Sequence, residues 1–355
     1  MNKGAGRTYL TAAVGVLMAA VVVFGLAFPD STAGFLLHVA TRPSTTERGL
    51  RLAVPIALAA VGGIFAEKSG VINIGIEGLL IVSAFTAVVA THLLGGQGAT
   101  LFVPNVWLGF FVGVLASVAF ALLFAVVCIE FKADQIIAGL AVWLIALGLA
   151  PFVSQIIFGR RNTESVPTFG DWTVPVLSEI PFVGPVFFDA GPEVYIMLAG
   201  TGVGWYLLNR TAFGRWVRAS GENPKALDTA GVDVRLVRYK SVLLSGVFAG
   251  LGGAGLALGH LGRFAGGGQT DIQGRGFIAI ATYLFGNYNP LGALGASFLF
   301  SGLEAIQLRM QVQGFAIPSE LVRTIPYVTV IVVLVLVGRT RIPEAAGEYY
   351  DPGED

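Results

Sequence analysis

The chain has 355 residues, 55% of them hydrophobic and only 12% charged, and its mean hydropathy is +0.76. Water-soluble domains carry about 25% charged residues, so this composition describes an integral protein of the lipid bilayer and excludes an ordinary globule in water. Basic and acidic residues balance at 22 each, which gives no sign of a nucleic-acid partner, and three scattered histidines with the lone Cys128 supply neither a metal cluster nor a disulfide framework.

A helix needs about 20 apolar residues to cross the hydrocarbon, and the first such stretch covers residues 9–28. It follows a basic start, but its apolar core is too long for a signal peptide and no clear cleavage site follows, so it reads as a peripheral first helix. Stretches at 50–66, 71–94, 106–128 and 135–158 make a first half over 50–158. A polar, proline-rich excursion at 160–193 leads to another apolar stretch at 194–208 and then to a charged loop over 210–240. The second half, 241–338, holds stretches at 241–259, 276–286, 291–308 and 321–338. Residues 344–355 are acidic with Gly and Pro, the composition of a disordered tail.

Orientation follows from Lys and Arg in the short loops. The 210–240 loop carries Arg210, Arg215, Arg218, Lys225, Arg235, Arg238 and Lys240 against Glu222, Asp228 and Asp233, which makes it cytoplasmic. Lys3 and Arg7 put the N-terminus on the same side, and Arg339 and Arg341 do so for the C-terminus. The short 276–286 stretch could be a tilted span, a half-helix or a re-entrant segment; two inner termini require an even number of crossings, so it is counted as a crossing and the total is ten, with 160–193 outside. The fold class is therefore all-α and polytopic, a single transmembrane domain.

Within the cytoplasmic loop a short helix has both ends marked. Asn223 is a good N-cap because its side-chain oxygen accepts from a free amide one turn on, and Pro224 suits the first helical position. Gly231 ends the helix in the left-handed conformation. About two turns are not stable alone, so the element must pack on something, either its own bundle or a partner.

Polar residues inside apolar stretches are costly and usually face a bundle interior or a watery path. Ser69, Asn73 and Glu77 recur at i, i+4 and i+8, one face of a continuous helix, with Glu77 about 10 Å along it. Ser297, Ser301 and Glu304 form a second stripe that Gln307 and Gln311 continue. Asn73, Glu77, Ser301 and Glu304 are thus candidates for a translocation path; the alternative is that they hydrogen-bond helices together. An ion-coupled secondary transporter would use Glu77 or Glu304 as its ion site.

Gly250-Leu251-Gly252-Gly253-Ala254-Gly255 fits the dinucleotide pattern G-x-G-x-x-G, but it lies inside one apolar stretch with no strand before it. Close helix contact explains it better, since Gly246/Gly250 and Gly255/Gly259 are also small-xxx-small pairs. No lysine sits in a Walker sequence, and neither H-E-x-x-H nor G-x-S-x-G occurs, so the chain has no standard ATP site or hydrolase constellation.

Three motifs in order, 67–78 (Glu-Lys-Ser-Gly-Val-Ile-Asn-Ile-Gly-Ile-Glu-Gly), 221–232 around Glu222-Asn223-Pro224-Lys225-Ala226, and 286–292 (Gly-Asn-Tyr-Asn-Pro-Leu-Gly), resemble the permease subunits of bacterial ABC importers of the branched-chain amino acid and ribose superfamily. The first is most similar to the nucleoside and simple-sugar branch. The resemblance covers about residues 48–341. It implies a bacterial cytoplasmic membrane location and a solute that is a nucleoside or, second, a simple sugar; the opposite run of matching segments in 50–158 and 241–338 suggests in addition an inverted repeat of the two halves. It also implies partners: a related second permease, two ABC ATPase subunits that carry ATP and magnesium, and an external substrate-binding lipoprotein. In such permeases the segment matching Glu222 to Gly231 is the coupling helix, so Glu222, Asn223, Pro224, Lys225, Ala226, Leu227 and Gly231 are expected to meet the ATPase. No cofactor is expected in this chain, and no enzyme activity of its own.

Overall fold

The computed structural model describes residues 20, 22–29, 31–100, 102–266, 270–272, 274–312 and 341–351. Most of the expected first helix at 9–28, and all of the last crossing at 321–338 with Arg339, lie outside the described residues. The chain divides into two compact units. One comprises Met1–Leu52, Thr173–Ala190 and Phe298–Thr340; the other comprises Ala53–Trp172, Gly191–Ser297 and Arg341–Asp355.

The helices in chain order are α1 (Thr32–Ala40), α2 (Pro43–Lys68), α3 (Ile76–Leu93), α4 (Asn105–Ile129), α5 (Gln135–Phe158), α6 (Pro192–Arg210), α7 (Ala212–Glu222), α8 (Pro224–Thr229), α9 (Val234–Leu256), α10 (Arg275–Phe285) and α11 (Pro290–Val312). A two-residue β-ladder, β1 (Ala99–Thr100) with β2 (Val103–Pro104), closes the α3–α4 connection. Among the described residues six helices are long and apolar enough to cross a membrane: α2, α3, α4, α5, α11 and α9, the last extended by a π-turn to Leu261. The chain is therefore an all-α polytopic membrane protein.

Of the forms open to the 276–286 stretch, the structure has the short one. Helix α10 has 11 residues, which at 1.5 Å per residue is about 16 Å, roughly half of the hydrocarbon core. It is a half-helix, bounded by Gly274 and Gly286. Helix α6 forms where expected but is not apolar enough to join the six.

In the second unit α3, α4 and α9 pack on one another, and small residues let them approach. A Cβ on Gly246 would stand 2.5 Å from the Ala121 side chain of α4, and one on Gly250 would stand 2.9 Å from the Val114 Cα. The close approach also lets the glycine carbonyls accept from side chains across the contact: Ser117 Oγ donates to the Gly246 oxygen at 2.8 Å and Ser83 Oγ to the Gly250 oxygen at 2.6 Å. The glycine run of α9 thus serves helix contact. Helices α4 and α5 instead leave much of their surface open, with Phe111, Leu115, Leu122, Leu144, Phe152 and Ile156 exposed, the surface that hydrocarbon covers in a membrane protein.

Two ends of this unit are distinct. At one end residues 163–169 lie along the C-terminal end of α9, with Val166 N–H donating to the Gly262 oxygen at 2.7 Å and Phe169 N–H to the Leu258 oxygen at 2.8 Å. Trp107, Phe169, Trp172 and Tyr195 gather there, ring to ring, as aromatic belts do at a membrane surface. The charged loop and the start of α9 are at the other end, about 40 Å away along a helix of 28 residues.

Residues 344–351 differ from the disordered tail expected of their composition. Ala345 is buried, its N–H donates to the Gly221 oxygen at 2.8 Å, and Gly347 N–H donates to the Gly70 oxygen at 3.0 Å. Backbone pairing and the arginines of the charged loop hold a segment whose acidic composition favours solvent. Composition does not register such partners.

Candidate functional site: the coupling loop and the buried carboxylates

Each element of the charged loop is capped by its own sequence. Thr211 Oγ1 accepts from Gly214 N–H at the start of α7, and Asp233 Oδ1 accepts from Leu236 N–H at the start of α9. Between them Asn223 Oδ1 accepts from Ala226 N–H at 3.0 Å and Pro224 opens α8. At the other end Gly231 has φ +78°, its N–H donates to the Asp228 oxygen, and Val232 N–H donates to the Leu227 oxygen. This is a Schellman closure, and a residue with a Cβ is disfavoured at that φ.

Helix α8 has only six residues. Leu227 alone in it is buried and anchors it to the unit, while Glu222, Asn223, Lys225, Ala226, Thr229, Ala230 and Gly231 are exposed. Burying one leucine stabilises by about 1.5–3 kcal/mol. The element is therefore seated on its own bundle through one side chain and presents the rest outward. The preceding helix is seated more firmly: Ser220 Oγ donates to the Ser69 oxygen at 2.8 Å, and a Cβ on Gly221 would come within 2.3 Å of the Lys68 carbonyl.

The expected i, i+4, i+8 face does not form. Helix α2 ends at Lys68, Gly70 has φ +95°, and α3 begins only at Ile76. Ser69 closes α2 by donating to the Ala66 oxygen, Asn73 lies in the non-helical break, and Glu77 sits in the first turn of α3 instead of 10 Å along it. Ile72 N–H in the break is satisfied by Gln135 Oε1 at 2.7 Å, so the interruption is a built feature.

Glu77 is 3% exposed and both its oxygens are engaged. Oε1 accepts from Gly274 N–H at 2.8 Å and Oε2 from Gly276 N–H at 2.6 Å, at the N-terminus of α10. A carboxylate there accepts from amides that have no partner within the helix and meets the positive end of its dipole. Gly276 is required by this approach, since a Cβ on it would stand 2.6 Å from the Glu77 Cα. Asn73 Nδ2 donates to Ser245 Oγ of α9 at 3.2 Å. Both contacts fit the interhelical reading of these residues. Ser301 and Glu304 lie on α11 in the first unit: Ser301 is buried with its hydroxyl directed to the Phe298 oxygen at 3.3 Å, and Glu304 is half-buried.

Sequence reasoning passed over Glu67. Its carboxylate, at the end of α2, accepts from the hydroxyls of Tyr283 and Tyr288, the latter at 2.7 Å. This joins α2 to the end of α10 and to the tight turn before α11, where Asn287 and Tyr288 have φ +50° and +55°. The available signal was a carboxylate at the edge of an apolar stretch together with two tyrosines flanking the Gly-Asn-Tyr-Asn-Pro turn.

A family model described as branched-chain amino acid transport system / permease component matches residues 45–334. The chain belongs to this permease family. It is 36% identical over 310 residues to the guanosine ABC transporter permease protein NupQ of Bacillus subtilis, covering 85% of this chain and 94% of that relative. It is 35% identical over 300 residues to the nucleoside ABC transporter permease protein NupC of Lactococcus lactis, covering 83% of this chain and 93% of the relative. The putative glucose ABC transporter permease protein TsgC13 of Haloferax volcanii is 33% identical over 308 residues, covering 80% and 88%. No solved structure matches the chain. As a member of this permease family it is a transport subunit, not an enzyme.

Proposed function

We propose that this permease carries a nucleoside into the cytoplasm as the membrane subunit of an ATP-driven ABC importer. The carrying observation is its likeness, over more than four-fifths of the chain, to a guanosine and a nucleoside permease. A simple sugar is the second reading, favoured by the slightly less similar glucose relative. Helix α8 is the coupling helix, through which Glu222, Asn223, Pro224, Lys225, Ala226, Leu227 and Gly231 meet an ABC ATPase that carries ATP and magnesium. Its exposed, doubly capped form supports that role.

The ATPase pair closes on ATP, moves α8, and switches the bundle between outward-open and inward-open states, each held by its own contacts. A related second permease and an external binding lipoprotein complete the assembly, in a bacterial cytoplasmic membrane with the charged loop and both termini inside. Asn73 and Glu77 in the second unit, and separately Ser301 and Glu304 in the first, are the residues we read as candidates for lining a translocation path. An ion site at Glu77 is disfavoured because two backbone amides already occupy its carboxylate.

The test is uptake of labelled guanosine and labelled glucose by proteoliposomes containing the permease pair, ATPase and binding protein. Nucleoside uptake that needs internal ATP and resists a protonophore supports the proposal. Uptake that collapses with the ion gradient and ignores ATP rejects it.

A further inference from the structure

Residues 345–351 run across the charged end of the second unit, and two consecutive side chains in them tie separate elements together. Tyr350 OH donates to Asp228 Oδ2 of α8 at 2.6 Å. Asp351 pairs with Lys132 in the α4–α5 connection and with Arg235 Nη2 of α9 at 3.3 Å. Upstream, Arg238 Nη1 of α9 donates to the Glu348 oxygen at 2.7 Å, and Gly347 is bonded to Gly70 in the break after α2. One short segment therefore contacts the break after α2, the α4–α5 connection, α8 and the start of α9.

Helix α8 needs such support. Six residues do not hold a helix in water, and its one buried side chain, Leu227, is an apolar contact without direction. Among the described residues, the hydrogen bond from Tyr350 is the one that reaches an α8 side chain from outside the charged loop. Because Asp351 is fixed by two cations of the bundle, the hydroxyl of its neighbour is held in place rather than free to follow α8.

We infer that residues 345–351 form a strap that positions α8 for its ATPase, with Tyr350 and Asp351 as positioning residues that link movement of α8 to the α4–α5 connection and to the break before Glu77. The inference rests on the coupling role proposed for α8. Without the strap α8 is free to tilt about Leu227, and part of each ATP-driven displacement is lost before it reaches the membrane helices.

The test uses the complete transporter in proteoliposomes, with solute moved per ATP hydrolysed as the readout. Tyr350→Phe and Asp228→Ala should each lower that ratio at least twofold, and the double variant should be no worse than the poorer single one, because both remove the same bond. Asp228→Asn keeps an acceptor oxygen for the Tyr350 hydroxyl and should restore a ratio near that of the native protein. An unchanged ratio in Tyr350→Phe, or losses that multiply in the double variant, overturns the strap.

Asn223→Ala with Gly231→Val separates this from the underlying reading. If that pair leaves ATPase association intact, the coupling role of α8 fails; if it breaks association while the strap variants are silent, only the strap fails. If Tyr350→Phe does not assemble, Lys132→Met is compared with the native complex by amide hydrogen exchange over residues 224–230. Faster exchange there supports the strap, and unchanged exchange overturns it.

Discussion

Tyr283 of α10 donates its hydroxyl hydrogen to the carboxylate of Glu67 at the end of α2, joining the half-helix to a helix 216 positions earlier in the chain. Tyr288 supplies the second donor. Interhelical hydrogen bonds in membrane proteins average about 0.6 kcal/mol and reach about 1.7. Tyr283→Phe should therefore cost an amount in that range, since Glu67 keeps Tyr288. Glu67→Ala strands two hydroxyls at once, at about 1–3 kcal/mol for each one left unsatisfied in the interior. Thermal unfolding of the purified permease in detergent should rank the two variants in that order.

The cap on α10 predicts a close-contact effect. Gly276→Ala places a methyl group against the Glu77 backbone and displaces one of the two amides that bond to its carboxylate. Overpacking of this kind costs about 1–3 kcal/mol. A lower melting temperature with unchanged resistance of uptake to a protonophore is expected. Glu77→Gln, which keeps one acceptor oxygen, should be milder; loss of ion-gradient dependence in that variant would instead restore the ion-site reading.

Helix α8 depends on both its ends. Asn223→Ala removes the bond to Ala226 N–H, a change worth about 0.5–2 kcal/mol at an N-cap. Gly231→Val forces a β-branched residue to φ +78°, where L side chains pay about 1–2 kcal/mol or more. The combined variant should insert normally and lose affinity for the ATPase, measured by co-purification of the two subunits at graded salt.

Acid should release the strap from one side. The hydrogen bond from Lys132, and then the charges of Lys132 and Arg235, hold the Asp351 carboxyl below its usual range; Glu130, 3.8 Å from Arg235, competes for the same cation. A depressed carboxylate contributes stability that is present above its unfolded pKa and lost as pH falls through the folded one. The contact should therefore be constant through neutral pH and disappear below about pH 4. Tyr350 works in the opposite direction: its bond to Asp228 pushes the phenol up to about 12, so that contact persists past pH 10 and is lost only as pH rises through the raised value. Amide exchange over residues 345–351 as a function of pH should show both limits.

What the sequence determined by itself was local or cumulative. Apolar runs, the basic loop, the Asn223 and Pro224 start, the Gly231 stop and the small-residue pairs of α9 each act through neighbours one or two turns away, or through sums over a loop, so they are visible in one dimension. Tertiary structure decided the rest. The face drawn through Ser69, Asn73 and Glu77 assumed a helix that Gly70 and Gln135 interrupt, and Gln135 is 63 positions from the amide it satisfies. Glu77 became a cap only because α10 begins beside it, 197 positions on. The acidic 344–351 segment became a strap because Lys132, Arg235, Arg238 and Asp228 converge where it lies. Burial and pairing between distant residues set the role of a charged side chain, and neither is a property of its local sequence.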